Sequence, residues 1–150
     1  MVCFVTKLNL ALLLGHPICL SEHHLSESEL QLIPITNYSL GASYCWKNFL
    51  KGGVCMFVYR NLKYKTINIY EYNIDKVIEA CKIQSDSTFN KLCILAIYRS
   101  PKSDFTIFLK RLDLISHKLC NNKYNIVICG NVNVNYLTYL FHGAESFLRS

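Results

Sequence analysis

The chain has 150 residues, 51% of them hydrophobic and 17% charged, with ten tyrosines and eight phenylalanines. That length suits one ordinary domain and excludes an elaborate two-domain enzyme, while the apolar and aromatic content excludes disorder and favours a strand-rich core. Sixteen basic against ten acidic residues leave a formal charge of +6, which suits a polyanionic partner and equally a solubilising surface.

In chain order, Lys7 followed by LNLALLLGHPICL has the basic start and short apolar run of a signal peptide. The run is too short to span a bilayer, no small-x-small cleavage site follows it, and Pro17 divides it. The sequence therefore predicts neither a leader nor a membrane segment. Past Pro17, ICLS (18–21) reads as a short buried strand that ends at Glu22. SESEL then sets Ser26 three residues before Glu29, a capping-box pattern predicting a brief helix through Leu30 and Leu32 that Pro34 stops.

Gly52 and Gly53 precede VCMFVYR, a run of strand formers; TINIY (66–70) alternates, and VIEACKI (77–83) reads as another strand. LCILAIY (92–98) is the most continuously apolar stretch of the second half, which predicts a central strand covered on both faces. After the turn at Pro101, Ser103 is placed to cap a helix. Its Phe105, Phe108, Leu109, Leu112, Ile115 and Leu119 follow the spacing of a core-facing stripe. NIVICGN (125–131) is the last buried strand, and Asn131, Asn133 and Asn135 then alternate with valines. Strand, helix and strand make a crossover, so the predicted class is α/β or layered α+β, in a single domain over 1–150.

Eight cysteines, at 3, 19, 45, 55, 81, 93, 120 and 129, make an even number, yet none forms a C-x-x-C pair. Cys19, Cys55, Cys81, Cys93 and Cys129 sit in apolar runs, where cysteine behaves as a small buried hydrophobe. The expectation is reduced thiols in an intracellular protein of nucleus or cytoplasm, not secreted, without structural zinc.

Three buried strands run straight into polar residues: ICLS into Glu22-His23-His24, LCILAIY into Tyr98-Arg99, and NIVICG into Asn131-Val132-Asn133. In α/β sheets ligands gather outside the carboxyl ends of strands, so these ends suit one shared crevice, though polar residues are also ordinary at strand-to-loop transitions.

The order of LSEHHL, KGGVCMFV, VIEACKI, ILAIYRSP, a helix with FLKRLDLI, and NIVICGNVNVN resembles the endonuclease/exonuclease/phosphatase family. More narrowly it resembles the endonuclease domain of non-LTR, Jockey-like retrotransposons, over roughly residues 16–137. The resemblance implies a four-layer α/β sandwich, two packed mixed sheets flanked by helices, incomplete at both ends. It implies metal-dependent phosphodiester hydrolysis, with DNA as partner and neither a membrane nor a small-molecule cofactor. Glu22 matches the carboxylate that binds the metal, usually Mg²⁺, a hard ion that takes carboxylate oxygens plus waters and phosphates.

Tyr98 matches a tyrosine near the scissile phosphate, Asn133 matches the amide of GDFN, and Arg99 is placed either to pair with a backbone phosphate or to lie at the sheet edge. His23 and His24 read as satisfied loop histidines, and Glu79 coincides with a common glutamate without an assigned role. Asn131 departs from the family, standing where an aspartate handles the proton of the attacking water. An amide has no basic lone pair for that proton, which removes a contribution of roughly 10²–10⁴ in rate. The family's SDHxP segment has no counterpart, because no aspartate follows Asp113. The expectation is an impaired nuclease, with a non-catalytic nucleic-acid-binding protein as the alternative.

Overall fold

The computed structural model describes residues 17–46, 52–85, 92–119 and 124–133. Its elements in chain order are β1 (Ile18–Ser21), α1 (Glu27–Gln31), β2 (Tyr38–Tyr44), β3 (Val54–Tyr59) and β4 (Tyr64–Ile67). There follow a 3₁₀ turn (Tyr70–Tyr72), β5 (Ile78–Ser85), β6 (Leu92–Arg99), α2 (Phe105–Leu119) and β7 (Asn125–Asn131). Two sheets result, of order β1-β3-β2 and β4-β5-β6-β7.

The two sheets pack face to face through Ala42, Tyr44, Val54, Met56 and Val58 on one side and Cys81, Ile83, Ala96, Tyr98 and Cys129 on the other. The outer face of the smaller sheet takes Leu30 of α1 against Ile18, Tyr38, Cys55 and Phe57. The outer face of the larger takes Phe108 and Ile115 of α2 against Ile78, Ala80, Leu95 and Ile97. Helix, sheet, sheet and helix make the expected layered α+β sandwich. Among the described residues the larger sheet is mixed, because α2 carries the chain over to lay β7 parallel to β6, and the pairings of the smaller sheet are antiparallel.

Continuous apolar runs in β3 and β6 follow from these layers. Val54, Met56 and Val58 face the opposing sheet while Cys55 and Phe57 face α1. Cys93, Leu95 and Ile97 face α2 while Ala96 and Tyr98 face the sheet interface, so β6 is covered on both sides as its composition predicts. Ser26 closes the predicted capping box, its Oγ accepting from Glu29 N at 3.3 Å and its N donating to Glu29 Oε2 at 2.8 Å.

Four details differ from the sequence reading. β2 has no signal in YSLGASY because its register slips between Leu40 and Ala42, a bulge that turns Tyr38 and Leu40 toward α1 and Ala42 and Tyr44 toward the other sheet. Gly41 permits this, since a Cβ there would lie 2.4 Å from Val58 Cγ2. The strand expected at 66–70 runs instead from Tyr64 to Ile67 and ends where Asn68 Oδ1 accepts from Tyr70 N at 2.9 Å, a side-chain turn that breaks the ladder.

Helix α2 is capped by Asp104, not Ser103: Asp104 Oδ1 accepts from Thr106 N at 2.7 Å and Ile107 N at 3.0 Å, while Ser103 Oγ donates to Ser100 O. The buried stripe is also narrower than expected. Phe105, Phe108, Leu112 and Ile115 pack on the sheet, but Leu109 is 43% exposed; the Leu119 side chain lies outside the described residues. Cys19, Cys45, Cys55, Cys81, Cys93 and Cys129 are not in disulfides, and Cys3 and Cys120 lie outside the described residues. Among the described residues no helix is long and apolar enough to cross a membrane.

Candidate functional site

β1 ends at Ser21, and the next residues turn sharply: Glu22 and His24 both have left-handed φ, 59° and 56°. Backbone bonds hold that turn, with Glu22 N donating to Gly53 O at 2.7 Å and His24 N to Gly52 O at 2.9 Å. The two glycines are obligatory on two counts. Both have positive φ, and a Cβ would meet the Trp46 ring at 2.7 Å from Gly52 or the His23 ring at 2.3 Å from Gly53. The Glu22 side chain is left exposed.

Tyr98, near the end of β6, points into the sheet interface, and its hydroxyl donates to Glu22 Oε1 at 2.7 Å. Burial first, and the Glu22 carboxylate second, hold the phenol above the ordinary tyrosine range, so it stays a donor at neutral pH. Asn131 is the parallel-register partner of Tyr98 across β6 and β7. The chain then curls: Asn133 has φ 46°, its N donates to Asn131 Oδ1 at 2.9 Å, and its Nδ2 donates to Arg99 O at 2.6 Å. Three strand ends, one from the smaller sheet and two from the larger, thus meet at Glu22, Tyr98, Asn131 and Asn133. Asn135 lies outside the described residues.

Arg99 does not join them as a phosphate ligand. It is only 8% exposed, and its Nη1 donates to Val132 O at 3.2 Å and Asn133 O at 3.0 Å while its Nη2 donates to Ser103 O at 2.7 Å. Phe105 and Phe108 rings stack beneath its guanidinium, 5.1 and 5.9 Å from their centroids. Arg99 therefore ties the end of β7 to the start of α2 and shapes the Asn131–Asn133 turn from behind.

Glu79 is the residue whose place the sequence reading left without a role. It is 0% exposed, sits opposite Tyr98 in the β5–β6 ladder, and accepts from Gly53 N through Oε2. Burial pushes its carboxyl up to about 7, with Asp75 and Glu22 adding to the rise and Gly53 N–H and the Trp46 indole opposing it. A lone carboxylate in the apolar run VIEACKI was the available signal, because such a group is buried only with partners. His23 Nδ1 accepts from Leu25 N at 3.1 Å and His24 Nδ1 accepts from Gly52 N at 3.3 Å, but the expectation of a satisfied His23 holds only in part, because its buried Nε2 has no hydrogen-bond partner. Burial, then His24, keep His23 below the ordinary histidine range.

Among the described residues no three His, Cys, Asp or Glu side chains form a metal-holding group. One exposed carboxylate, Glu22, does suit a cation that keeps most of its waters and takes phosphate oxygens, and does not suit a closed protein cage. Comparison with protein-family models, curated proteins and solved structures finds no match to this chain.

Proposed function

We propose that this chain carries a phosphodiesterase site of the endonuclease/exonuclease/phosphatase kind, derived from a retrotransposon endonuclease and impaired in hydrolysis. The observation that supports it most is the Tyr98–Glu22 hydrogen bond at 2.7 Å, which brings together residues that the resemblance assigns to one phosphate-handling centre from separate sheets. In this reading Glu22 holds Mg²⁺, which when bound supplies positive charge to a phosphate oxygen. Tyr98 keeps its proton, and its one hydroxyl hydrogen, given to Glu22 Oε1 in this structure, would turn from that carboxylate to the developing negative charge on the phosphoryl oxygens, while Asn133 orients a phosphate oxygen or water through its amide. Asn131 can orient a water but cannot take its proton, so the chemical step lacks its base.

A DNA partner in the nucleus or cytoplasm goes with this reading, as does the +6 charge. The missing base favours retention of binding over catalysis. Plasmid nicking with Mg²⁺, run for the wild type and Glu22→Ala, tests the proposal beside a gel shift across a salt series. It expects salt-sensitive DNA binding and no nicking that depends on Glu22. Vigorous nicking abolished by Glu22→Ala would overturn the impairment, and absence of both nicking and binding would overturn the site reading.

A further inference from the structure

We propose that Cys19 and Cys129 are an oxidisable thiol pair whose disulfide staples the two sheets together directly beneath the strand ends of the candidate site. The two sulphurs are 2.8 Å apart although the residues are 110 positions apart in the chain. That separation exceeds a disulfide bond of about 2.05 Å by less than about 1 Å. Cys19 lies on β1 of the smaller sheet, three residues before Glu22, and Cys129 lies on β7 of the larger, two residues before Asn131. A bond between them therefore fixes the spacing of the strands that present those two side chains.

The other thiols of the core are not equivalent. Cys81 Sγ donates to Ala42 O at 3.7 Å and Cys129 Sγ also reaches Leu95 O at 3.6 Å, but Cys19 and Cys129 are the pair whose sulphurs meet between the sheets, and Cys55 faces α1 from the far side of its strand. Cys129 is buried and Cys19 half-buried, so Cys19 is the more accessible partner. The shared hydrogen and then burial raise the Cys19 thiol above the ordinary range, so the pair exchanges slowly once the sheets have closed and most readily while they dock.

With oxidised glutathione as oxidant, the Cys19 thiolate attacks one glutathione sulphur, forming a mixed disulfide and releasing one glutathione thiolate. The Cys129 thiolate then attacks the Cys19 sulphur, forming the inter-sheet bond and releasing the second glutathione. Two protein thiols are oxidised, one glutathione disulfide is reduced to two thiols, and the protons balance. This link does not depend on the phosphodiesterase reading.

Refolding the reduced, denatured full chain in a glutathione redox buffer tests it without any barrier of access. The product is alkylated with N-ethylmaleimide in denaturant, digested and mapped by mass spectrometry. The expected result is a peptide pair joined through Cys19 and Cys129 with the loss of two hydrogens, and a midpoint of thermal unfolding roughly 5–10 °C above that of dithiothreitol-treated protein. Cys129→Ser and Cys19→Ala should each abolish both effects, and the wild-type peptide map decides alone if either variant does not fold. Folded protein in which Cys19 and Cys129 both carry maleimide, or in which Cys19 is joined to another cysteine in preference, overturns the proposal.

Discussion

The Tyr98 hydroxyl donates to Glu22 Oε1 at 2.7 Å, a bond between residues 76 positions apart that joins the end of β6 in one sheet to the end of β1 in the other. Because the acceptor is exposed, the bond is worth less than a buried one. Tyr98→Phe should lower the unfolding free energy by about 1 kcal/mol, and a double-mutant cycle with Glu22→Ala, which removes the acceptor, should recover a coupling of similar size. Urea denaturation measures both. Additive single and double mutants would mean that the two side chains do not meet in solution.

Gly130 precedes the asparagine turn with φ +128°, and a Cβ on it would sit 1.8 Å from the Ile97 carbonyl oxygen. Backbone cannot retreat as a side chain can. Gly130→Ala should cost on the order of 3 kcal/mol or more, whereas Gly41→Ala, which meets the Val58 side chain, should cost less. Equal losses in thermal or chemical denaturation would refute the close approach at Gly130.

Glu79 gives the fold a pH dependence of definite sign. Its folded pKa of about 7 lies above the ordinary 4.5, so the folded state holds the proton more tightly than the unfolded one. Stability from this group is fully present below pH 4.5 and falls as pH rises toward 7, by roughly 2–3 kcal/mol. Glu79→Gln should remove that decline, so the variant gains on the wild type between pH 5 and 7. Parallel stability profiles for the two proteins would show that Glu79 titrates normally.

How much of this was legible in the sequence depends on which contacts made each feature. β1, β3, β6 and β7 announce themselves because strands covered on both faces need unbroken apolar runs, and α1 shows its own cap in Ser26 and Glu29. The polar residues directly after those runs do not by themselves fix the convergence of three strand ends, since ordinary strand-to-loop transitions carry them too; the face-to-face packing of the two sheets brings the ends together. β2 stays hidden because the bulge at Gly41 exchanges its faces halfway, which destroys the period of two. Arg99 reads as a phosphate ligand because sequence shows its charge but not the carbonyls of Val132, Asn133 and Ser103 that surround it, which only the packing of β7 and α2 brings together.

Those carbonyls lead to a further expectation. Arg99→Lys keeps the charge but cannot span three acceptors, so it should destabilise the fold by about 1–3 kcal/mol. If the protein binds DNA, the slope of log affinity against log salt should be unchanged in this variant, because a buried guanidinium displaces no counterion from DNA. A slope smaller by about one unit would restore Arg99 as a phosphate contact.

The central claim is that Glu22, Tyr98 and the Asn131–Asn133 turn form a phosphodiesterase centre lacking its base, and Asn131→Asp tests it most directly. Supercoiled plasmid with Mg²⁺ should be nicked by Asn131→Asp roughly 10²-fold or more faster than by the wild type, without reaching full turnover, and adding Glu22→Ala should abolish the gain. Nicking by Asn131→Asp no faster than the wild type, or a gain that survives Glu22→Ala, would contradict the account.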